Sequence, residues 1–173
     1  MAPTSQGLRI AMLAVGAVVA GADQLSKSLV LATHAGTRPG SGGGWISIVL
    51  ARNHGASTGI GADHPLIVTG IEIVAIGFVT ALALGTRNRV VAISLALVLG
   101  GALGNLLDRF VRAPGLGRGA VVDWIHFGGR GGSLDVADVA IQLGAIVALA
   151  ATFVGSRRPH PARAGRPAPN SGS

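Results

Sequence analysis

The sequence predicts an all-α integral membrane protein: four transmembrane helices with a small extracytoplasmic β element and exterior-facing loops. Three observations lead there. Hydrophobic residues make up 49% of the 173-residue chain and charged residues only 12%, about half the charge of a soluble domain. Mean hydropathy is +0.58. Four stretches, about Leu8–Leu31, Leu66–Leu84, Val90–Phe110 and Leu134–Val154, each approach the roughly 20 apolar residues that cross a hydrocarbon core about 30 Å thick.

The first stretch competes with a cleaved leader, because Val19-Ala20-Gly21-Ala22 resembles a small-residue cleavage site. Against that, only Arg9 precedes the apolar run as a basic residue, and apolar character resumes at Leu29–Leu31, so it is read as a span. An external segment, about Ala32–Pro65, follows. Its Gly- and Pro-rich part, Gly36–Gly44, marks a turn. Trp45-Ile46-Ser47-Ile48-Val49-Leu50 is short, rich in β-branched residues and preceded by Gly43-Gly44, which predicts a strand. Spans two and three are joined by the shortest connection, Gly85–Arg89. A second external segment, about Val111–Ser133, leads to span four. From Ser156 the chain turns rich in Pro, Arg and Gly, the composition of a disordered tail. This divides the chain into a membrane domain, residues 1–155, and a disordered basic cytoplasmic tail, 156–173.

Loop charge sets the expected orientation. Arg87 and Arg89 share a side with the tail residues Arg157, Arg158, Arg163 and Arg166, against Arg38, Arg52, Arg112, Arg118 and Arg130 on the other. Both termini are therefore placed in the cytoplasm. Trp45 and Trp124 fall in the external segments, where an indole can anchor at the headgroups.

Composition also excludes chemistries. Without cysteine there is no disulfide, zinc-thiolate site or cysteine nucleophile. The net charge of +7 comes mostly from Arg in loops and tail, a distribution that suits an anionic membrane surface. With no basic helix face and only four Phe, two Trp and no Tyr, nucleic acid is not an expected partner.

An acid inside a span is costly and points to function. Of seven acids, Asp23, Asp108, Asp123, Asp135 and Asp138 lie in or beside spans one, three and four. Asp23 and Lys27 are one helical turn apart. Asn105, Asp108 and Arg109 share a face of span three at i, i+3, i+4. Asp135 and Asp138 open span four, and Asp123 lies in the loop before it. All five acids thus converge at the outer boundary. Taken singly, each has an ordinary reading: a helical ion pair for Asp23 and Lys27, a span end for Asp108 and Arg109, a solvated loop acid for Asp123. Glu72, in span two, has no partner the sequence can name. Gly100 and Gly104 have the small-xxx-small spacing of helix packing.

Two neighbouring carboxylates share a proton, so one can activate water while the other polarises a carbonyl. Asp123 and Asp138 can meet this way if the external loop folds back over span four. The competing chemistries are weaker. His34, His54, His64 and His126 show no His-x-x-x-His spacing for a metal. Gly55-Ala56-Ser57-Thr58-Gly59 spells the serine-hydrolase elbow, but in a chain too short and apolar for that fold. From another class, a small transporter or channel would also bury acids, though along a continuous path rather than at one level. A helical scaffold leaves the five acids unexplained.

Four blocks carry a family resemblance: Asp23-Gln24-Leu25-Ser26-Lys27; Arg52-Asn53-His54-Gly55-Ala56-Ser57; Gly100-Gly101-Ala102-Leu103-Gly104-Asn105-Leu106-Leu107-Asp108-Arg109; and Val121-Val122-Asp123-Trp124 with Asp135-Val136-Ala137-Asp138. Together the blocks resemble the bacterial lipoprotein signal peptidases (signal peptidase II), which are aspartyl proteases. The resemblance implies Asp123 and Asp138 as the catalytic pair. It further implies Asp23, Lys27, Asn53, Gly55, Ala56, Asn105, Asp108, Arg109 and Asp135 as supporting positions, with no cofactor and no metal. It implies a mobile external helix over the site and diacylglyceryl-modified prolipoproteins as substrates, cut before the lipidated Cys. A monomer in the plasma membrane, among membrane lipids and with its site at the outer face, is expected. Two positions depart from the family pattern. Asp135 stands where the family usually has Asn, and Ser57-Thr58-Gly59-Ile60 lacks the aromatic residue usual after Gly-Ala.

Overall fold

The computed structural model describes residues 5–37, 44–128 and 132–156. The predicted turn lies largely outside these residues, as do Arg38, Arg130 and the tail from residue 157. The elements are α1 (Gln6–Thr33), β1 (Ile46–Asn53), α2 (Pro65–Gly85), α3 (Arg89–Val111), β2 (Val121–Phe127), β3 (Ser133–Leu134) and α4 (Val136–Ser156). All four helices are long and apolar enough to cross a membrane.

Local chemistry sets the helix starts. Ser5 caps α1 by accepting from the Leu8 N–H at 3.4 Å, and Pro65 occupies the first turn of α2, where its missing N–H costs nothing. Asn88 accepts from the N–H groups of Val90 and Val91 to cap α3. Span four starts later than its hydropathy predicts. Leu134 belongs to β3, and Asp135 caps α4 through a 2.7 Å bond from the Asp138 N–H to its Oδ1.

The bundle is built on α3, which packs on α4, α1 and α2. Glycine permits the close approaches. A Cβ on Gly100 would meet the Gly16 carbonyl of α1 at 2.7 Å, one on Gly101 the Ala137 carbonyl of α4 at 2.5 Å, and one on Gly144 the Ser94 carbonyl of α3 at 2.5 Å. Packing of this kind drives helix association where lipid removes the hydrophobic term. Many large side chains that face outward, such as Val18, Phe78 and Leu149, are apolar, as a lipid-facing surface requires.

β1 is the strand the sequence predicts, extended to Asn53. It pairs antiparallel with β2, Ile46 opposite Phe127 and Asn53 opposite Val121, with an irregularity between Ile48 and Ala51. β2 pairs in turn with β3. Asp123 is therefore a strand residue and not a solvated loop acid. The external helix that the resemblance implies is not among the described elements; after Ala56 the chain makes one short 3₁₀ turn at Ser57–Gly59. Gly59 and Gly61 take positive φ there, a conformation that ends a helix.

Candidate active site

Lys27 is the centre of the polar cluster. Its Nζ, with the side chain wholly buried, lies 2.8 Å from Asp23, 3.0 Å from Asp108 and 2.7 Å from Asp135. It also donates to Asn105 Oδ1 at 2.8 Å. One ammonium thus joins α1, α3 and the start of α4. In a medium where an unpaired charge costs several kcal/mol, such a hub is how three carboxylates can be buried together.

Each carboxylate also fixes backbone. Asp23 Oδ1 accepts from the Ala137 N–H of α4 at 3.1 Å. Gly104 leaves the room for this, since a Cβ there would sit 2.5 Å from Asp23 Oδ2, so the Gly100/Gly104 spacing serves the site as well as helix packing. Asp108 accepts from Arg112 at 2.6 Å, from Gln24 at 3.0 Å and from the Val122 N–H at 3.1 Å. That last bond holds β2 to α3 one residue before Asp123.

Asp108 and Arg109, about 100° apart around α3, turn to different neighbours, Asp108 to α1 and β2 and Arg109 to α2. The Arg109 guanidinium reaches α2, pairing with Glu72 at 2.9 Å. It also donates to the carbonyls of His54 at 3.3 Å and Gly55 at 2.6 Å. Glu72, unassigned from sequence, thus has a definite partner. Arg109 ties the 53–56 turn to the bundle, and Asn53 closes that turn by accepting from the Gly55 N–H and donating to the Ala56 carbonyl. Gly55 is required because a Cβ would strike the Gly59 carbonyl.

Asp123, Asp135 and Asp138 offer carboxylate oxygens that all lie within 4.8 Å of one another. Asn53 is placed to hydrogen-bond Asp123, and Asn105 to hydrogen-bond Asp138. Burial, followed by the charges of Asp135 and Asp138, pushes the Asp123 carboxyl up to about 8. Burial also raises Asp135, against the opposing pull of Lys27. Asp135 is thus more than a neighbouring charge. It caps α4 and pairs with Lys27, two roles that the position of the residue in the sequence does not reveal.

Asp123 and Asp138 open onto a cavity of about 750 Å³ between α2, α3, α4 and the sheet. Asn53, Asn105 and Arg109 add to its polar end, while Ile67, Ile71, Phe127 and Ile141 make apolar walls. Ser57 also lines it, but from the 3₁₀ turn and not from a strand-to-helix elbow. His126 bonds Ser133 instead. Trp45 is exposed, whereas the Trp124 Nε1 is buried with no hydrogen-bond partner among the described residues. A neutral carboxyl beside a second carboxylate, at the end of a largely apolar cavity, can activate water and polarise an amide carbonyl.

A family model described as signal peptidase (SPase) II matches residues 15–154. The lipoprotein signal peptidase of Rhodococcus jostii is 35% identical over 154 residues, covering 88% of this chain and 77% of that protein. That of Streptomyces coelicolor is 41% identical over 116 residues, covering 65% and 55%. Among solved structures, a bacterial membrane enzyme determined at 1.9 Å superposes with a TM-score of 0.70 over 87% of this chain and 96% of that one, at 22% identity. Another, determined at 2.3 Å, gives 0.66 over 90% and 93%, at 24% identity.

Proposed function

The chain belongs to the signal peptidase II family, proteases that remove signal peptides from prolipoproteins, and on that premise we propose that Asp123 and Asp138 are its catalytic pair. The observation that carries this reading is the approach of their carboxylates to within 4.8 Å in a cavity with one polar end and apolar walls. With the Asp123 carboxyl protonated at neutral pH, it hydrogen-bonds the scissile carbonyl oxygen. Asp138 takes a proton from water, whose oxygen adds to the carbonyl carbon. Collapse of the tetrahedral intermediate expels the amine, which leaves with the proton Asp138 acquired. The pair then shares the remaining proton again.

Asn53 and Asn105 orient the two carboxylates, while Lys27, Asp23, Asp108 and Asp135 fix the helices and the strand that carry them. Arg109, Gly55 and Ala56 shape the turn over the cavity. Its apolar walls suit the acyl chains of a diacylglyceryl-modified substrate, with cleavage before the lipidated Cys.

Loop charge supports an orientation. Seven arginines (Arg9, Arg87, Arg89, Arg157, Arg158, Arg163 and Arg166) lie on the side of the termini, against five (Arg38, Arg52, Arg112, Arg118 and Arg130) in the segments on the side of the site. By the positive-inside rule the termini face the cytoplasm, and the site faces outward across the plasma membrane. Glu72 is matched by Arg109, and the remaining buried acids cluster at one level, an arrangement that does not support a charge-lined conduction path.

The test is cleavage of a diacylated prolipoprotein by purified protein in lipid. Release of the signal peptide is expected. No release from either lipidated or unlipidated substrate would overturn the assignment.

A further inference from the structure

α2 rests mainly on α3, and a slot opens on each side of it. The slot toward α4 is the cavity described above. The slot toward α1 has a volume of about 460 Å³ and lies in the other half of the bundle. Gly16, Ala17 and Ala20 on α1 line it together with larger apolar residues, among them Ile76 on α2 and Leu99 on α3, beside the buried cluster of Met12, Ala83 and Ala96. Arg9 stands at one end.

Length and charge say what fits. From Arg9 to Ala20 α1 rises about 16 Å, which is one leaflet, half of a core about 30 Å thick. The slot walls are almost wholly apolar, so an acyl chain fills them without loss. At the Arg9 end the only charges among the described residues are basic, Arg87 and Arg89 lying at the same level in the α2–α3 connection. All seven acids of the chain, from Asp23 to Asp138, belong to the opposite half. A guanidinium over an apolar slot one leaflet deep, in an acid-free basic surface, matches a phosphate over an acyl chain.

We propose that this slot binds one phospholipid of net negative charge from the leaflet opposite the carboxylate site, its chain between α1 and α2 and its headgroup on Arg9. The positively charged start of a leader peptide would be repelled at that end, and a second copy of the chain would bring its own arginine there.

The full-length protein in phosphatidylcholine vesicles, given trace spin-labelled phosphatidylglycerol or phosphatidylcholine, provides the test through the motionally restricted fraction of each label. Wild type should restrict phosphatidylglycerol in preference to phosphatidylcholine. Arg9→Gln should cut that preference about fivefold, equivalent to about 1 kcal/mol for one basic residue near the surface, and Arg9→Lys should retain most of it. Ala17→Phe, which fills the slot, should lower the restricted phosphatidylglycerol with the charge unchanged. Equal restriction of both lipids by wild type, an Arg9→Gln preference equal to wild type, or an unaltered fraction in Ala17→Phe would each overturn the proposal. Displacement of the labelled lipid by a signal peptide would assign the slot to substrate instead.

Discussion

Lys27 on α1 and Asp135 at the start of α4 are 2.7 Å apart, nitrogen to oxygen, and neither side chain is exposed. The contact joins the first helix to the last across the base of the site. It also makes Lys27 the principal counter-charge for three acids. Lys27→Met is therefore expected to destabilise the protein by about 3–5 kcal/mol, the usual cost of orphaning a buried charge. Thermal unfolding in lipid measures it. Lys27→Met with Asp135→Asn should recover part of the loss; strictly additive losses would show the two residues to be uncoupled.

Asp135→Asn should also move the pH–rate profile. Asp123, held at about 8, must be protonated to act as the acid, so wild-type activity falls as pH rises through that value. After burial, the Asp135 charge is the next cause of that elevation. Removing it lowers the Asp123 value and shifts the basic limb to lower pH. Asn still caps a helix, so the fold should persist. An unmoved basic limb under matched lipid and salt would show that Asp135 does not act on Asp123.

Asp123→Asn and Asp138→Asn should each lower turnover by roughly 10²–10⁴-fold, the range for loss of a general acid or base. Asn keeps the shape of each carboxyl group, so helicity and membrane insertion should match wild type. Near-normal rates in either variant would transfer the role to another acid.

Arg109→Lys is expected to behave as a severe substitution. The guanidinium serves Glu72, His54 and Gly55 from three different nitrogens, which one ammonium cannot reproduce. Losing one charged hydrogen bond costs about 1.5–3 kcal/mol, so kcat/KM should fall at least tenfold as the 53–56 turn loosens. Glu72→Gln, which keeps an acceptor for Arg109, should be milder. Steady-state kinetics on the two variants, if equal, would discount the anchoring role.

Ser57→Ala and treatment with EDTA should both leave cleavage close to normal, because the proposed chemistry uses neither a serine nucleophile nor a metal. Activity lost in EDTA and recovered with zinc would count against the aspartyl pair, and so would an inactive but folded Ser57→Ala.

What the sequence disclosed was whatever repeats or lies close along the chain. Span-length hydropathy located four helices, β-branched residues located β1, and a four-residue spacing joined Asp23 to Lys27. The convergence of five acids also followed, because alternating spans bring their outer ends to one level. Contacts between distant segments left no local trace. Nothing near Glu72 announces Arg109, which lies 37 residues away, and nothing near Asp108 announces the Val122 N–H. β2 escaped notice because its polar members, Asp123 and His126, interrupt the apolar pattern that marks a strand. Asp135 was visible as a charge. Its capping role depends on where α4 begins, and hydropathy does not fix that to the residue.

The glycines divide the molecule unevenly. Those at 16, 100, 101 and 144 hold backbones of α1, α3 and α4 in direct contact, whereas an added Cβ on Gly70, Gly77 or Gly85 of α2 would meet nothing within 4 Å. At those points no side chain separates the backbones of the three helices. α2 is pinned at its site end by Glu72 to Arg109 and by Thr69 to the Gly117 carbonyl at 2.6 Å, and at its other end by Ala83, buried with Met12 of α1 and Ala92 and Ala96 of α3. Between these two points it turns Val74 and Phe78 outward. Amide exchange in lipid would register this as slow exchange near Thr69 and Ala83 and faster exchange between them.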